Sequence, residues 1–134
     1  MHVDGQCHCG ALRFEAEVDA EQVKICHCTD CQILSGTAFR TVAPASEDRF
    51  RMLAGTPKIY LKTAESGRPR EQAFCRDCGT QIYATSVGPA PRLINIRVGT
   101  LRQRAELTPK HQIWCRSSAP WLTQIASLPA DDRQ

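Results

Sequence analysis

Seven of the eight cysteines in this 134-residue chain stand in three clusters: Cys7-His8-Cys9, Cys26-His27-Cys28-Thr29-Asp30-Cys31 and Cys75-Arg76-Asp77-Cys78-Gly79. A chain this short and this rich in thiols uses them either as a disulfide framework or as metal ligands in a reducing compartment. The opening residues, Met1-His2-Val3-Asp4-Gly5-Gln6, lack the apolar core of a signal peptide. No apolar run reaches the roughly 18 residues that a membrane span needs. The expectation is a cytoplasmic protein that binds zinc through thiolates.

The formal net charge of +3 hints weakly at an anionic partner. Metal loading removes the hint, because seven thiolates and two Zn²⁺ ions bring that charge to zero. A near-neutral loaded protein gives no charge argument for nucleic acid. An aromatic content of 6% is thin for a base-stacking platform. Neither nucleic acid nor membrane is expected as a partner, and the oligomeric state is not legible.

Local patterning predicts short strands and little helix. Residues 3–9 read as a strand running into a metal-binding turn, with Gly10 supplying the turn. Residues 11–18 alternate, with Leu12, Phe14, Ala16 and Val18 on one face, as a half-buried strand does. Val23 to Ile25 leads into the cysteine triplet. Thr29 then reads as a helix N-cap and Cys31, Ile33 and Leu34 as a single helical turn ending near Ser35-Gly36. Further strands are expected at 38–42, 50–53, 59–62, 72–74, 81–84, 93–98 and 111–114. Residues 44–48 read as a loop, and 50–53 with 59–62 as a hairpin around Gly55-Thr56-Pro57. Residues 63–70 read as an exposed loop, 99–111 as coil and 121–125 as a turn that packs back. The class is mainly β, in one domain over 3–122 with a C-terminal tail at 123–134.

Cys7, Cys9, Cys75 and Cys78 are four soft ligands, the number a tetrahedral structural zinc takes. Cys-x-x-Cys-Gly is the stronger half of that signal, since the glycine lets backbone N–H groups turn toward sulfur. Two free buried thiol pairs, or a redox Cys-x-x-Cys, are the alternatives, although no thioredoxin-like βαβ pattern surrounds the motif. Cys26, Cys28 and Cys31 give three thiolates from one short loop and no local fourth ligand. An open position marks a catalytic zinc; a closed site would draw on His8, His27, His111 or Cys115. His27 falls between two ligands and so faces away from the metal on extended backbone, where it orients or hydrogen-bonds rather than ligates. Asp30 reads as a turn cap, and Cys115 as a small buried apolar residue in a β segment.

The ordered set Gly5-x-Cys7-x-Cys9-Gly10-x-x-x-Phe14, Cys26-His27-Cys28-x-x-Cys31-x-x-x-x-Gly36-x-x-Phe39, Phe74-Cys75-x-x-Cys78-Gly79-x-x-Ile82 and His111-x-Ile113-Trp114 with Pro120-Trp121 resembles the glutathione-dependent formaldehyde-activating enzyme family, also called the centromere protein V/formaldehyde-activating domain. The resemblance spans roughly residues 3–122. It implies a β-tent type fold of stacked antiparallel sheets held by two Zn²⁺ ions. It places Cys7, Cys9, Cys75 and Cys78 on the structural zinc and Cys26, Cys28 and Cys31 on the catalytic one. It also implies a carbon–sulfur lyase activity that condenses glutathione with formaldehyde to S-(hydroxymethyl)glutathione. The same fold acting on another thiol or electrophile, or serving as a non-catalytic zinc module, stays open beside it. Glutathione carries two carboxylates, for which arginine is the fork-shaped partner. Arg40, Arg49, Arg51, Arg76 and Arg97 are the candidates.

Overall fold

The computed structural model of the chain describes residues 1–134. Its elements are β1 (His2–Gln6), β2 (Arg13–Glu17), β3 (Lys24–Cys26), α1 (Thr29–Ser35), β4 (Arg40–Ser46), β5 (Phe50–Ala54), β6 (Lys58–Thr63), β7 (Pro69–Phe74), β8 (Gln81–Ser86), β9 (Leu93–Arg97) and β10 (His111–Ile113), with short 3₁₀ turns between them. The protein is therefore mainly β. A three-stranded sheet runs β1-β2-β5, and a seven-stranded sheet runs β10-β3-β4-β9-β8-β7-β6.

The alternation of residues 11–18 sets the first sheet's inner face. Leu12, Phe14, Ala16 and Val18 are all buried. They meet Ala43 and Ala45 of β4, Ile82 of β8 and Ile94 and Ile96 of β9 in one apolar cluster between the sheets. Fully burying a side chain such as Phe14 contributes roughly 1.5–3 kcal/mol. Its ring lies 5.5 Å from Phe50, which lies 5.1 Å from Tyr83. That aromatic row runs from β2 through β5 to β8 and ties the two sheets together.

Four local expectations are corrected. The pair 50–53 and 59–62 is not a hairpin: β5 joins β2 in the small sheet, while β6 joins β7 in the large one. Gly55 turns the chain between sheets at φ +74, where a Cβ would meet the Ala11 carbonyl oxygen at 2.5 Å. Residues 44–46 are strand rather than loop. Pro44 is tolerated because β3 accompanies β4 only over residues 40–42, so no ladder partner awaits the missing N–H. Only residues 64–68 form the tight β6–β7 turn, with Thr63, Pro69 and Arg70 in strand. The segment 120–127 is a 3₁₀ helix rather than a turn, with Trp121 and Ile125 exposed and Leu122 half-buried. The large sheet is also mixed, since β10 runs parallel to β3. A parallel pair needs a long crossover, and α1 and β4 to β9 lie between these two strands. Residues 129–134 are exposed and irregular.

Two cysteine centres and a cationic cavity

All eight cysteines are free thiols. Seven of them gather as the sequence spacing predicts, in two groups whose sulfurs lie within 4.8 Å of one another: Cys7, Cys9, Cys75 and Cys78, and Cys26, Cys28 and Cys31. In the first group Cys7 Sγ and Cys9 Sγ are 3.6 Å apart, and Cys9 Sγ and Cys75 Sγ 3.7 Å. A disulfide would need about 2.05 Å. A tetrahedron with zinc–sulfur bonds of about 2.3 Å has edges of about 3.8 Å, so this donor set fits a four-coordinate zinc. The turn after β1 and the turn between β7 and β8 supply two thiols each. The Leu12 N–H donates to Cys7 Sγ at 3.2 Å, and Cys78 Sγ contacts the Thr80 hydroxyl at 3.1 Å. These contacts favour thiolate. The Thr80 hydroxyl and backbone N–H bring Cys78 down to about 5. Cys7 is also lowered: burial opposes this most strongly, and the Leu12 N–H together with the Cys9 and Cys75 thiols outweighs it. Cys9 is pushed up to about 12, because the lowering N–H of Ala11 is overcome by the neighbouring thiols, Cys7 foremost.

The triplet is built by the end of β3 and the start of α1. Cys26 ends the strand. Cys28, not Thr29, is the helix N-cap: its sulfur accepts the Cys31 N–H at 3.3 Å. The helix runs seven residues rather than one turn. Gln32 fixes it in place by donating to the carbonyls of His27 and Ser117, both at 2.9 Å. No other Cys, His, Asp or Glu ligand atom joins the three sulfurs. Hydrogen bonding from Cys31 pulls Cys26 down, and the same contact with burial pushes Cys31 up, so a proton on Cys31 is shared toward Cys26. Three soft donors on one side of a shared space suit a zinc with an open position.

His27 is buried and lies outside the ligand set, with Nε2 2.6 Å from Gln112 Oε1 and its ring edge-on to Phe39. His27 thus hydrogen-bonds rather than ligates, and its partner Gln112 lies on β10, a neighbour that only strand order brings to it. Two other expectations are corrected. Asp30 does not cap a turn but pairs with Lys62 Nζ at 2.5 Å, tying α1 to β6. Cys115 is exposed in the turn after β10 rather than buried in it, because the strand ends at Ile113.

The triplet opens on a cavity of about 340 Å³. Its wall carries six cations, Lys24, Arg40, Lys62, Arg68, Arg70 and Arg97, against two acids, Asp30 and Glu65. Both acids are already committed, Asp30 to Lys62 and Glu65 to Arg116. Trp114 closes one side beneath the Arg116 guanidinium. Of the five arginines named from sequence, only Arg40 and Arg97 reach this cavity. Arg49 and Arg51 pair with Asp48 and Glu15 on the outside, and Arg76 borders a different cleft beside Gly55. Arg68 and Arg70 gave no signal in the sequence, since their facing is set by the β6–β7–β8 order.

The family model described as glutathione-dependent formaldehyde-activating enzyme matches residues 2–117. A Schizosaccharomyces pombe protein described as an uncharacterized lyase is 27% identical over 93 residues, which are 69% of this chain and 64% of that relative. The match thus spans less than two thirds of that protein's length. Among solved structures, the crystal structure of a Rhodobacter sphaeroides protein superposes with a TM-score of 0.62 at 22% identity, covering 81% of this chain and 98% of the other. That likeness shows the fold.

Proposed function

The chain belongs to the glutathione-dependent formaldehyde-activating enzyme family, and from that premise we propose that it joins a thiol, glutathione, to a small aldehyde beside Cys26, Cys28 and Cys31. The observation that carries this reading is the juxtaposition of a three-thiol set with a cavity of about 340 Å³. Cys26, Cys28 and Cys31 would hold one zinc, and Cys7, Cys9, Cys75 and Cys78 a structural one. At the triplet the ion would supply Lewis acidity, which lowers the pKa of a nearby thiol and polarises a nearby carbonyl.

The chain's own contribution is positioning. Gln32 and the Cys28 cap fix the three sulfurs relative to the cavity floor. Trp114 and the β6–β7 turn narrow the space in which two small reactants meet. The cationic wall favours the thiolate form and the carboxylates of an anionic thiol. In the reaction the substrate sulfur bonds to the carbonyl carbon, the C=O π pair moves to oxygen, and the proton lost by the thiol ends on that oxygen. No atom changes hands beyond this and nothing is oxidised. Every residue used lies within 3–122, which we take as the functional domain, with 123–134 as a tail.

The adduct forms unaided, so rate is the test. Exchange between free formaldehyde plus glutathione and their adduct, followed by NMR, is expected to quicken with zinc-loaded protein and not with Cys28→Ser. No acceleration by protein carrying two zinc ions would remove this reading.

A further inference from the structure

Arg40 and Arg97 are the only lysine or arginine residues buried in the protein, 5% and 8% exposed. They stand on adjacent strands, β4 and β9, and converge on one neutral acceptor. Gln72 Oε1 receives Arg40 at 3.4 Å and Arg97 at 2.7 Å, and Arg40 also donates to Gln81 Oε1 at 2.5 Å. No carboxylate pairs with either, because the cavity's two acids are taken by Lys62 and Arg116. The Nε of Arg97 is buried without a hydrogen-bond partner.

Two like charges buried together without a counter-ion are expensive, and an unfilled buried donor adds to that. Three thiolates around a divalent zinc carry one negative charge, which balances one guanidinium at most. The other guanidinium and its empty donor remain. We propose that Arg40 and Arg97 form a carboxylate subsite in the triplet's cavity, and that the thiol substrate is selected for carrying a carboxylate. A guanidinium fork matches that group with two parallel N–H donors. The subsite deepens the thiol–aldehyde reading and rests on it for the identity of the ligand.

Its test needs no turnover. The probe is S-methylglutathione, which keeps both carboxylates and has no thiol to transfer; its diethyl ester is the control. Both are titrated by calorimetry into zinc-loaded protein carrying Trp121→Phe, so that fluorescence reports Trp114 on the cavity wall. This distinguishes the triplet's cavity from the second cleft, of about 390 Å³, that Arg40 and Arg97 also border. The acid is expected to bind at least about tenfold more tightly than the ester and to move the Trp114 signal. Arg97→Gln, folded and carrying two zinc ions, is expected to lose about that factor for the acid and nothing for the ester.

Equal binding of acid and ester, no binding of the acid, or heat without a Trp114 response would overturn the subsite. So would inorganic phosphate displacing the acid at equal concentration, which would make it a general oxyanion site. Where Arg97→Gln does not fold, the acid–ester comparison on the parent protein decides. An acid preference without acceleration in the exchange assay leaves the subsite standing and removes the reaction. Acceleration without an acid preference does the reverse.

Discussion

Cys28 has two separable tasks. Its sulfur is one of three donors facing the cavity, and it also accepts the Cys31 N–H as the cap of α1. Serine performs the second task as well as any residue, since a hydroxyl oxygen is a preferred N-cap acceptor. It fails at the first, because a neutral hydroxyl does not replace a thiolate on zinc. Cys28→Ser is therefore expected to bind one zinc per chain instead of two, with an unchanged far-ultraviolet circular dichroism spectrum. Cys28→Ala removes the cap as well and is expected to melt lower than Cys28→Ser by about 1 kcal/mol of stability. Metal analysis alongside thermal melts of the pair checks both statements. Equal melting of Ser and Ala variants would mean that the cap contributes nothing.

Among the elements, the crossing from β5 to β6 turns on a single position. Gly55 and Gly67 share a left-handed backbone, φ +74 and +85, but a Cβ at Gly55 meets backbone at 2.5 Å while one at Gly67 meets nothing within 4 Å. Gly67→Ala is expected to lose only the conformational part, roughly 1 kcal/mol, and Gly55→Ala roughly 2–5 kcal/mol once the clash is added. Urea melts of the two give the comparison. A second prediction concerns the joint between β4, β7 and β9. Arg92 donates to Glu47 and to Glu71 there, and its hydrogen bonds hold Glu47 below the usual carboxylate range. A depressed folded pKa contributes stability above the unfolded value of about 4.3 and loses it as pH falls through the folded value. The gap in urea midpoint between the parent and Glu47→Gln is thus expected to be widest near neutrality and to close below about pH 4; a constant gap would refute it. These joints also show what the sequence conceals. The alternation of 11–18 exposes β2 directly, and the cysteine spacings expose both donor sets. Nothing local tells that β5 and β6 part company, that β10 lies parallel to β3, or that Arg40, Arg70 and Arg97 converge from three strands on one cavity, because those facts belong to strand order.

For the whole molecule, the two donor sets differ in what they hold together. The triplet draws on one stretch of chain, β3 and α1, so the loss of a metal from it would free no long segment. The four-thiol set joins the end of β1 in the small sheet to the β7–β8 turn in the large one, bridging a sequence separation of 66 from Cys9 to Cys75. Cys7 and Cys75 also belong to the shared apolar cluster. Were a zinc held there, its removal would leave four clustered thiols, Cys7 and Cys75 of them buried, with their charges unbalanced, and would forfeit a binding energy of the order of 10–16 kcal/mol, comparable to the entire stability of a domain this size. Graded addition of a chelator should therefore act in two stages. The first zinc is released to a colorimetric indicator with the far-ultraviolet spectrum unchanged, because three ligands beside an open cavity let go sooner than four. The second leaves together with cooperative unfolding. Cys78→Ser is expected to reach that end state without chelator, and Cys28→Ser to show the second stage alone. Unfolding that tracks the first equivalent, or a folded protein stripped of both, would reverse the assignment of structural and catalytic centres.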